Sequence, residues 1–96
     1  MLINAVMYQF PDERADEAAR LLAELRAASL HDDGCGGFEV MRGDADEPGT
    51  FVLYEKWRDQ AALDAHYATE HFQRLGVNGI RKIATNRQAV KGTPVE

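Results

Sequence analysis

The chain has 96 residues, of which 45% are hydrophobic and 28% are charged, and this balance is typical of one globular domain. The net charge of −5 argues against nucleic acid as a partner, because phosphate binding needs clustered lysine and arginine. No segment approaches the roughly 18 apolar residues of a membrane span, so no membrane partner is expected. The single cysteine, Cys35, excludes an internal disulfide, and the N-terminus lacks a signal-peptide pattern. We therefore expect a single domain over residues 1–96, located in the cytoplasm.

The chain begins with a predicted strand and helix. Residues 2–10 carry apolar side chains on both alternating faces, as in a central strand that is covered on both sides. Pro11 ends this strand, and Asp12 is a candidate N-cap for a helix over residues 13–30. One stripe of this helix has the i, i+3, i+4, i+7 spacing of a buried face: Ala18, Leu21, Leu22, Leu25 and Ser29.

Two more strands are predicted next. A glycine-rich turn over residues 31–37 leads to a short, mixed strand over residues 38–42, which suits the edge of a sheet. An acidic loop over residues 43–49 connects it to a strand over residues 51–57. This last strand is apolar on both faces, so it is expected to be central.

A second helix is predicted to start at Asp59, a candidate N-cap. His66 and Tyr67 fall on one side of this helix and Phe72 falls on the other, so a break is expected near residues 69–70. After the break we expect a short turn and a connector, and then a polar edge strand. These segments are residues 71–75, 77–79 and 80–90, and residues 91–96 form a tail.

The resulting order, β-α-β-β-α-β, predicts an α+β fold of the ferredoxin-like type with an antiparallel sheet. In that topology the first and third strands are central, which agrees with their apolar faces. Two helices cover only one face of the sheet, so the second apolar face needs another partner. A second copy of the chain related by C2 symmetry is the simplest one, and the sequence therefore predicts a homodimer.

Two polar residues lie within apolar rows. Glu55 lies between Leu53 and Trp57 on one strand face, and a buried carboxylate needs a partner. An arginine or His66 is expected as this partner, either within the subunit or across the dimer. Asn4 is either a donor in a pocket or a core amide with satisfied hydrogen bonds. Both are candidate substrate-binding residues.

Histidine has a pKa suited to a general base, so His66 and His71 are the candidate catalytic residues. The structural alternatives are a core histidine bonded to a carbonyl or to Glu55 for His66, and a helix cap for His71. Trp57 and Tyr67 are candidate pocket walls, although large aromatic side chains also simply fill cores. The two histidines are five residues apart, which does not place them on one helix face. With no third ligand near them, no metal site is expected.

Together these residues resemble the antibiotic biosynthesis monooxygenase family. The resemblance rests on an aromatic residue followed by a glutamate and a tryptophan, then an Ala-Leu pair and a histidine, and finally Thr-x-His-Phe. The matching residues are Tyr54, Glu55, Trp57, Ala62, Leu63, His66, Thr69, His71 and Phe72, and the turn Asp33-Gly34-Cys35 also matches. Glu70 departs from the family pattern, which often has proline there.

The resemblance implies a dimeric α+β barrel with one pocket per subunit, between the sheet and the helices. The quinol-monooxygenase-like branch matches best, at Glu55, Trp57, His66 and His71. In the haem-degrading branch an asparagine, a tryptophan and a histidine carry the chemistry; Asn4 and Trp57 match the first two, but the third position falls near Gly76. The set of the polyketide-oxygenase branch is not reproduced, because Leu53 and Leu63 stand at two of its positions.

The expected function is therefore a cofactor-independent monooxygenase that oxidises a small aromatic quinol or polyphenol with O2. One alternative is a non-catalytic dimer that binds a small molecule or is associated with stress. Another is a haem-binding or haem-degrading protein. No cofactor is expected, and haem is the disfavoured exception.

Overall fold

Four antiparallel strands form one sheet in the computed structural model, which describes residues 1–96. The strands are β1 (Leu2–Gln9), β2 (Cys35–Arg42), β3 (Thr50–Trp57) and β4 (Asn86–Gly92). Their spatial order is β2-β3-β1-β4, so β1 and β3 are central and the other two are edges. This arrangement confirms the predicted α+β, ferredoxin-like fold.

The helices cover one face of this sheet. They are α1 (Ala15–Ser29), α2 (Gln60–Tyr67) and α3. Helix α3 consists of a π-helical segment (Phe72–Ile80) followed directly by an α-turn (Arg81–Ile83). Their buried side chains and the inward face of the strands form one hydrophobic cluster. None of the helices is long and apolar enough to cross a lipid bilayer.

One of the two predicted helix caps is correct. The Asp59 carboxylate accepts a hydrogen bond from the Ala62 amide at 2.9 Å, as an N-cap does. The prediction for Asp12 is wrong, because Pro11 is followed by a 3-10 turn (Asp12–Arg14) and α1 begins only after it. Arg14 occupies the N-cap position of α1, and its side chain makes no capping bond.

The predicted break between the helices is present, with Thr69 at its centre. The Thr69 hydroxyl donates to the His66 carbonyl at 2.7 Å and accepts from the Phe72 amide at 3.2 Å, so it ends α2 and begins the next helix. The predicted turn and connector are wrong, because the chain stays helical to Ile83. The predicted edge strand is present, but its predicted start at residue 80 is wrong. Ile80 is fully buried in the core, and β4 begins only at Asn86.

The other face of the sheet carries no helix. Apolar side chains of both central strands and both edge strands lie on it, among them Met7, Met41, Val52, Tyr54 and Val90. Tyr54 is 44% exposed and Val90 is 71% exposed. The sequence correctly placed apolar residues on both faces of the central strands.

Gly34 shapes the turn between α1 and β2. Its φ of 82° is the only positive one in the chain, and a Cβ atom there would lie 2.5 Å from the Cβ of Ala62 in α2. The left-handed conformation alone costs a residue with a side chain about 1–2 kcal/mol. The turn and α2 can therefore be this close only because residue 34 has no side chain.

We expect Gly34→Ala to lower the free energy of unfolding by at least about 1–2 kcal/mol, measured by urea denaturation. Gly36→Ala is the matched control, because a Cβ there would meet Lys56 at an ordinary 3.7 Å. Equal denaturation midpoints for the two variants would contradict the role assigned to Gly34.

Candidate functional site

Three side chains from separate elements meet at one end of the sheet. Asp32, in the turn before β2, places Oδ2 2.7 Å from Nδ1 of His66 and 3.0 Å from Nε2 of His71. His66 lies in α2 and His71 lies just before α3. The break at Thr69 reorients the chain between the two histidines, so both rings reach the same carboxylate although they are not on one helix face.

His66 is a buried ring in an aromatic shell. Its ring centroid lies 4.5 Å from that of Trp57 and 5.0 Å from that of Phe72, and the side chain is 1% exposed. Burial lowers the pKa of His66 below 6.5, and this effect outweighs the opposite pull of Asp32. The ring is therefore neutral at pH 7 and donates Nδ1–H to Asp32, so that Nε2 carries the lone pair.

The same three residues could hold a metal ion. Their donor atoms all lie within 4.8 Å of one another, and they are imidazole nitrogens and a carboxylate, as in many divalent metal sites. The expectation that no third ligand lies near the two histidines was wrong, because Asp32 is one. The two hydrogen bonds already satisfy Asp32 without an ion, and the absence of a metal stays a prediction.

A second polar group lies deeper in the sheet, around Glu55. Asn4 on β1 lies directly opposite Glu55 on β3, and its Nδ2 donates to Oε1 of Glu55 at 3.2 Å. The indole Nε1 of Trp57 donates to the same oxygen at 3.0 Å, while Oε2 accepts no hydrogen bond. The Tyr67 hydroxyl lies 3.4 Å from Nδ2 of Asn4. Four of the predicted site residues therefore form one cluster.

Burial sets the charge state of this cluster. Desolvation raises the pKa of Glu55 above 4.5, while Trp57, Asn4 and the positive charge of Arg87 act in the opposite direction. Burial also raises the pKa of Tyr67 above 10, and the nearby Glu55 adds to this effect. Within the subunit, Glu55 forms no salt bridge with an arginine or with His66, because its hydrogen bonds come from the amide of Asn4 and the indole of Trp57. A partner arginine across the dimer stays a prediction.

Two clefts open on the surface. One, of about 370 Å³, lies between the β2–β3 loop and the end of β1, and its lining is almost entirely polar. The other, of about 240 Å³, lies where α3 meets β4 and is lined by Tyr8, Arg81, Ala84, Thr85, Asn86 and Arg87. Neither cleft is lined by a histidine or by any other predicted site residue.

Asp32, Arg81 and Arg87 were not among the site residues predicted from the sequence. A buried histidine needs an acceptor, but the pairing of β2 with β3, which brings the turn at Asp32 close to α2, is visible only in the structure. The two arginines were assigned to a polar edge strand. Arg81 lies instead in α3, which brings it to the same cleft as Arg87.

The residues do not fit haem as an axially ligated group. No histidine lines either cleft. Gly76, near which the histidine of the haem-degrading branch would fall, is buried in α3, and a Cβ there would lie 3.1 Å from the Phe72 ring.

Comparisons with known proteins agree with this fold. The model of the family described as "Antibiotic biosynthesis monooxygenase" matches residues 1–76. "Putative monooxygenase YcnE" of Bacillus subtilis is 30% identical over 82 residues, covering 82% of this chain and 81% of that protein. A crystal structure of an antibiotic biosynthesis monooxygenase is 33% identical, covers 100% of both chains and has a TM-score of 0.90. Protein PA3566 of Pseudomonas aeruginosa is 27% identical with a TM-score of 0.89, covering 99% of this chain and 94% of that one.

The raised pKa of Glu55 predicts an unusual pH dependence of stability. Between pH 4.5 and the higher pKa of the folded state, the folded protein binds more protons at this group than the unfolded chain does. The contribution of Glu55 to stability is therefore present at low pH and is lost as the pH rises through that window. Glu55→Gln should become more stable relative to the unmodified protein over the same window, in urea denaturation at several pH values.

Glu39→Gln is the control, because Glu39 is an exposed glutamate on the neighbouring strand β2. It measures how much of the effect comes from replacing any glutamate of the sheet with glutamine, without the burial that is specific to Glu55. If the stability difference between Glu55→Gln and the unmodified protein does not change with pH, the pKa of Glu55 is not raised by folding and the prediction is contradicted.

Proposed function

Since the chain belongs to the antibiotic biosynthesis monooxygenase family, we propose that it is a cofactor-independent monooxygenase that oxidises a small aromatic quinol or polyphenol with O2. The observation that supports this proposal is the buried carboxylate of Glu55. One of its oxygens is held by Asn4 and Trp57, and the other accepts no hydrogen bond from the protein. A carboxylate held in this way, with a raised pKa, has the properties of a general base.

The reaction requires a general base and a hydrogen-bond donor for the oxygen atom that becomes negatively charged. Glu55 takes a phenolic proton, and the resulting electron-rich anion reduces O2. One oxygen atom enters the ring and the other leaves as water, while the substrate loses two hydrogens; a quinol thus becomes a hydroxyquinone. The Tyr67 hydroxyl accepts from Asn4, so its own proton is free to donate to an oxygen bearing negative charge.

Glu55 replaces the histidines as the proposed base. Arg87, which lines the cleft at α3 and β4, acts electrostatically on Glu55 and Tyr67, whereas the groups that act on His66 are Asp32 and His71. His66 then has a positioning role, since it packs against Trp57 at 4.5 Å and Asp32 fixes its ring. Its Nε2 lone pair makes it the alternative base.

We expect Glu55→Gln to lower kcat/KM for O2 uptake with quinols by about 100-fold or more, the usual loss when a general base is removed. His71→Gln should change it only a few-fold, because His71 is 20% exposed and contacts Asp32 rather than the Glu55 cluster. The rate should rise with pH as Glu55 loses its proton.

Uptake is measured with chelator-treated protein and corrected for autoxidation. Full activity of Glu55→Gln together with loss of activity in His66→Gln would assign the base to His66 instead. No uptake by the unmodified protein, with any quinol, would contradict the oxygenase proposal.

A non-catalytic, small-molecule-binding protein is the second candidate. It is favoured by the packing of the interior, because neither cleft is lined by Glu55, His66 or His71 and aromatic side chains pack closely around His66. Binding of aromatic compounds without O2 uptake would support this candidate.

We also propose that the chain forms a C2 homodimer through the face of the sheet without helices. A dimer is also what the resemblance of the sequence to this family implies. The face exposes apolar side chains of all four strands, which burial against a second copy would remove from water.

Tyr54→Lys should convert the dimer into a monomer of 10.7 kDa, because it places two like charges within the symmetric interface. Light scattering after size-exclusion chromatography measures the mass. Ala23→Lys, at an exposed position of α1, is the control and should leave the dimer intact. A monomeric unmodified protein, or a dimeric Tyr54→Lys variant, would contradict this interface.

A further inference from the structure

The cleft of about 240 Å³ between α3 and β4 contains two arginines and no acidic side chain. This is unusual for a chain with 16 acidic residues and a net charge of −5. Five of its eight arginines form salt bridges, namely Arg14, Arg26, Arg42, Arg58 and Arg74. Arg81 and Arg87 do not, and they line the same cleft. Two like charges facing one cleft repel each other, and an anion bound between them removes that cost.

Both guanidinium groups are held by aromatic rings rather than by carboxylates. The Cζ of Arg81 lies 5.3 Å from the ring centroid of Phe72, and that of Arg87 lies 5.8 Å from the ring centroid of Tyr8. Nε of Arg87 also donates to the Tyr8 hydroxyl at 3.3 Å. Cation–π contacts orient a guanidinium group without occupying its N–H donors. The remaining donors therefore stay available for a carboxylate, which arginine binds in a two-pronged manner.

No residue of the buried cluster lines the cleft, but Phe72 and the charge of Arg87 connect the two. The positive charge of Arg87 lowers the pKa of Glu55, and both arginines lower that of Tyr67, in each case against the larger effect of burial. Phe72, which packs against Arg81, also contacts Tyr67, with ring centroids 5.0 Å apart. Glu55 cannot neutralise both arginines, because it is a single group and its hydrogen bonds go to Asn4 and Trp57.

We propose that Arg81 and Arg87 form an anion subsite that binds a carboxylate carried by the aromatic substrate. The preferred substrate is then a hydroxyaryl carboxylate, with its acid group at the two arginines and its hydroxyl group toward Tyr67 and Glu55. This inference rests on the proposed function for the reaction, but the binding preference can be measured without turnover.

The test is calorimetric binding of two matched probes, 1-hydroxy-2-naphthoate and 1-naphthol, under anaerobic conditions. The unmodified protein should bind the carboxylate about tenfold more tightly or better, and this preference should weaken as salt is added. The double variant Arg81→Gln/Arg87→Gln should lose the preference while its affinity for 1-naphthol changes little. Arg20→Gln is the control, because Arg20 also forms no salt bridge but lies in α1, away from the cleft.

Three outcomes would overturn the subsite: equal affinity for the two probes, a preference that survives the double substitution, or acetate binding as tightly as the naphthoate. The last would mean that the aromatic ring contributes nothing. Oxygen uptake separates this inference from the proposed function. A carboxylate preference without uptake refutes the oxygenase and leaves the subsite, whereas uptake with neutral quinols and no carboxylate preference refutes the subsite alone.

Discussion

The burial of one carboxylate, Glu55, governs the arrangement of this molecule. It lies on a central strand among apolar neighbours and is only 4% exposed, where an unpaired charge is very costly. Asn4 on the adjacent strand and Trp57 two residues away both donate to one of its oxygens. These bonds offset part of the cost and leave the second oxygen without a protein donor. The fold therefore maintains a carboxylate whose proton is held unusually strongly.

The helices complete this environment in two ways. Thr69 ends α2 and starts the next helix, and the change of direction turns both His66 and His71 toward Asp32. His66 then packs against the indole of Trp57, which is itself bonded to Glu55. The π-helical segment ends at Ile80, and the next residue, Arg81, lines the same cleft as Arg87 from β4. The packing of His66 on Trp57 and the position of Arg81 at the cleft thus both depend on the helix break at Thr69.

The sequence predicted those parts of the molecule that follow from simple periodicity. Alternation identified the two central strands, and it marked Glu55 and Asn4 as polar residues in apolar rows. It could not supply their contact, which depends on the register that places Asn4 opposite Glu55. The helix break was predicted because Phe72 falls on the wrong side of an α-helix. The helix beyond it was missed, because a π-helix has a wider turn than the 3.6 residues assumed. Asp32 was missed for a different reason: its partners are more than 30 residues away, and only the folded chain brings them together.

Carbon-13 NMR titration of the Glu55 side-chain carboxyl, assigned by comparison with Glu55→Gln, tests the central claim most directly. The account predicts a pKa clearly above 4.5, because burial outweighs the hydrogen bonds from Asn4 and Trp57. Asn4→Leu should raise that pKa further, since it removes a donor to the charged form. A pKa at or below 4.5 would mean that Glu55 is a stably ionised structural group, and it would contradict the assignment of Glu55 as the base.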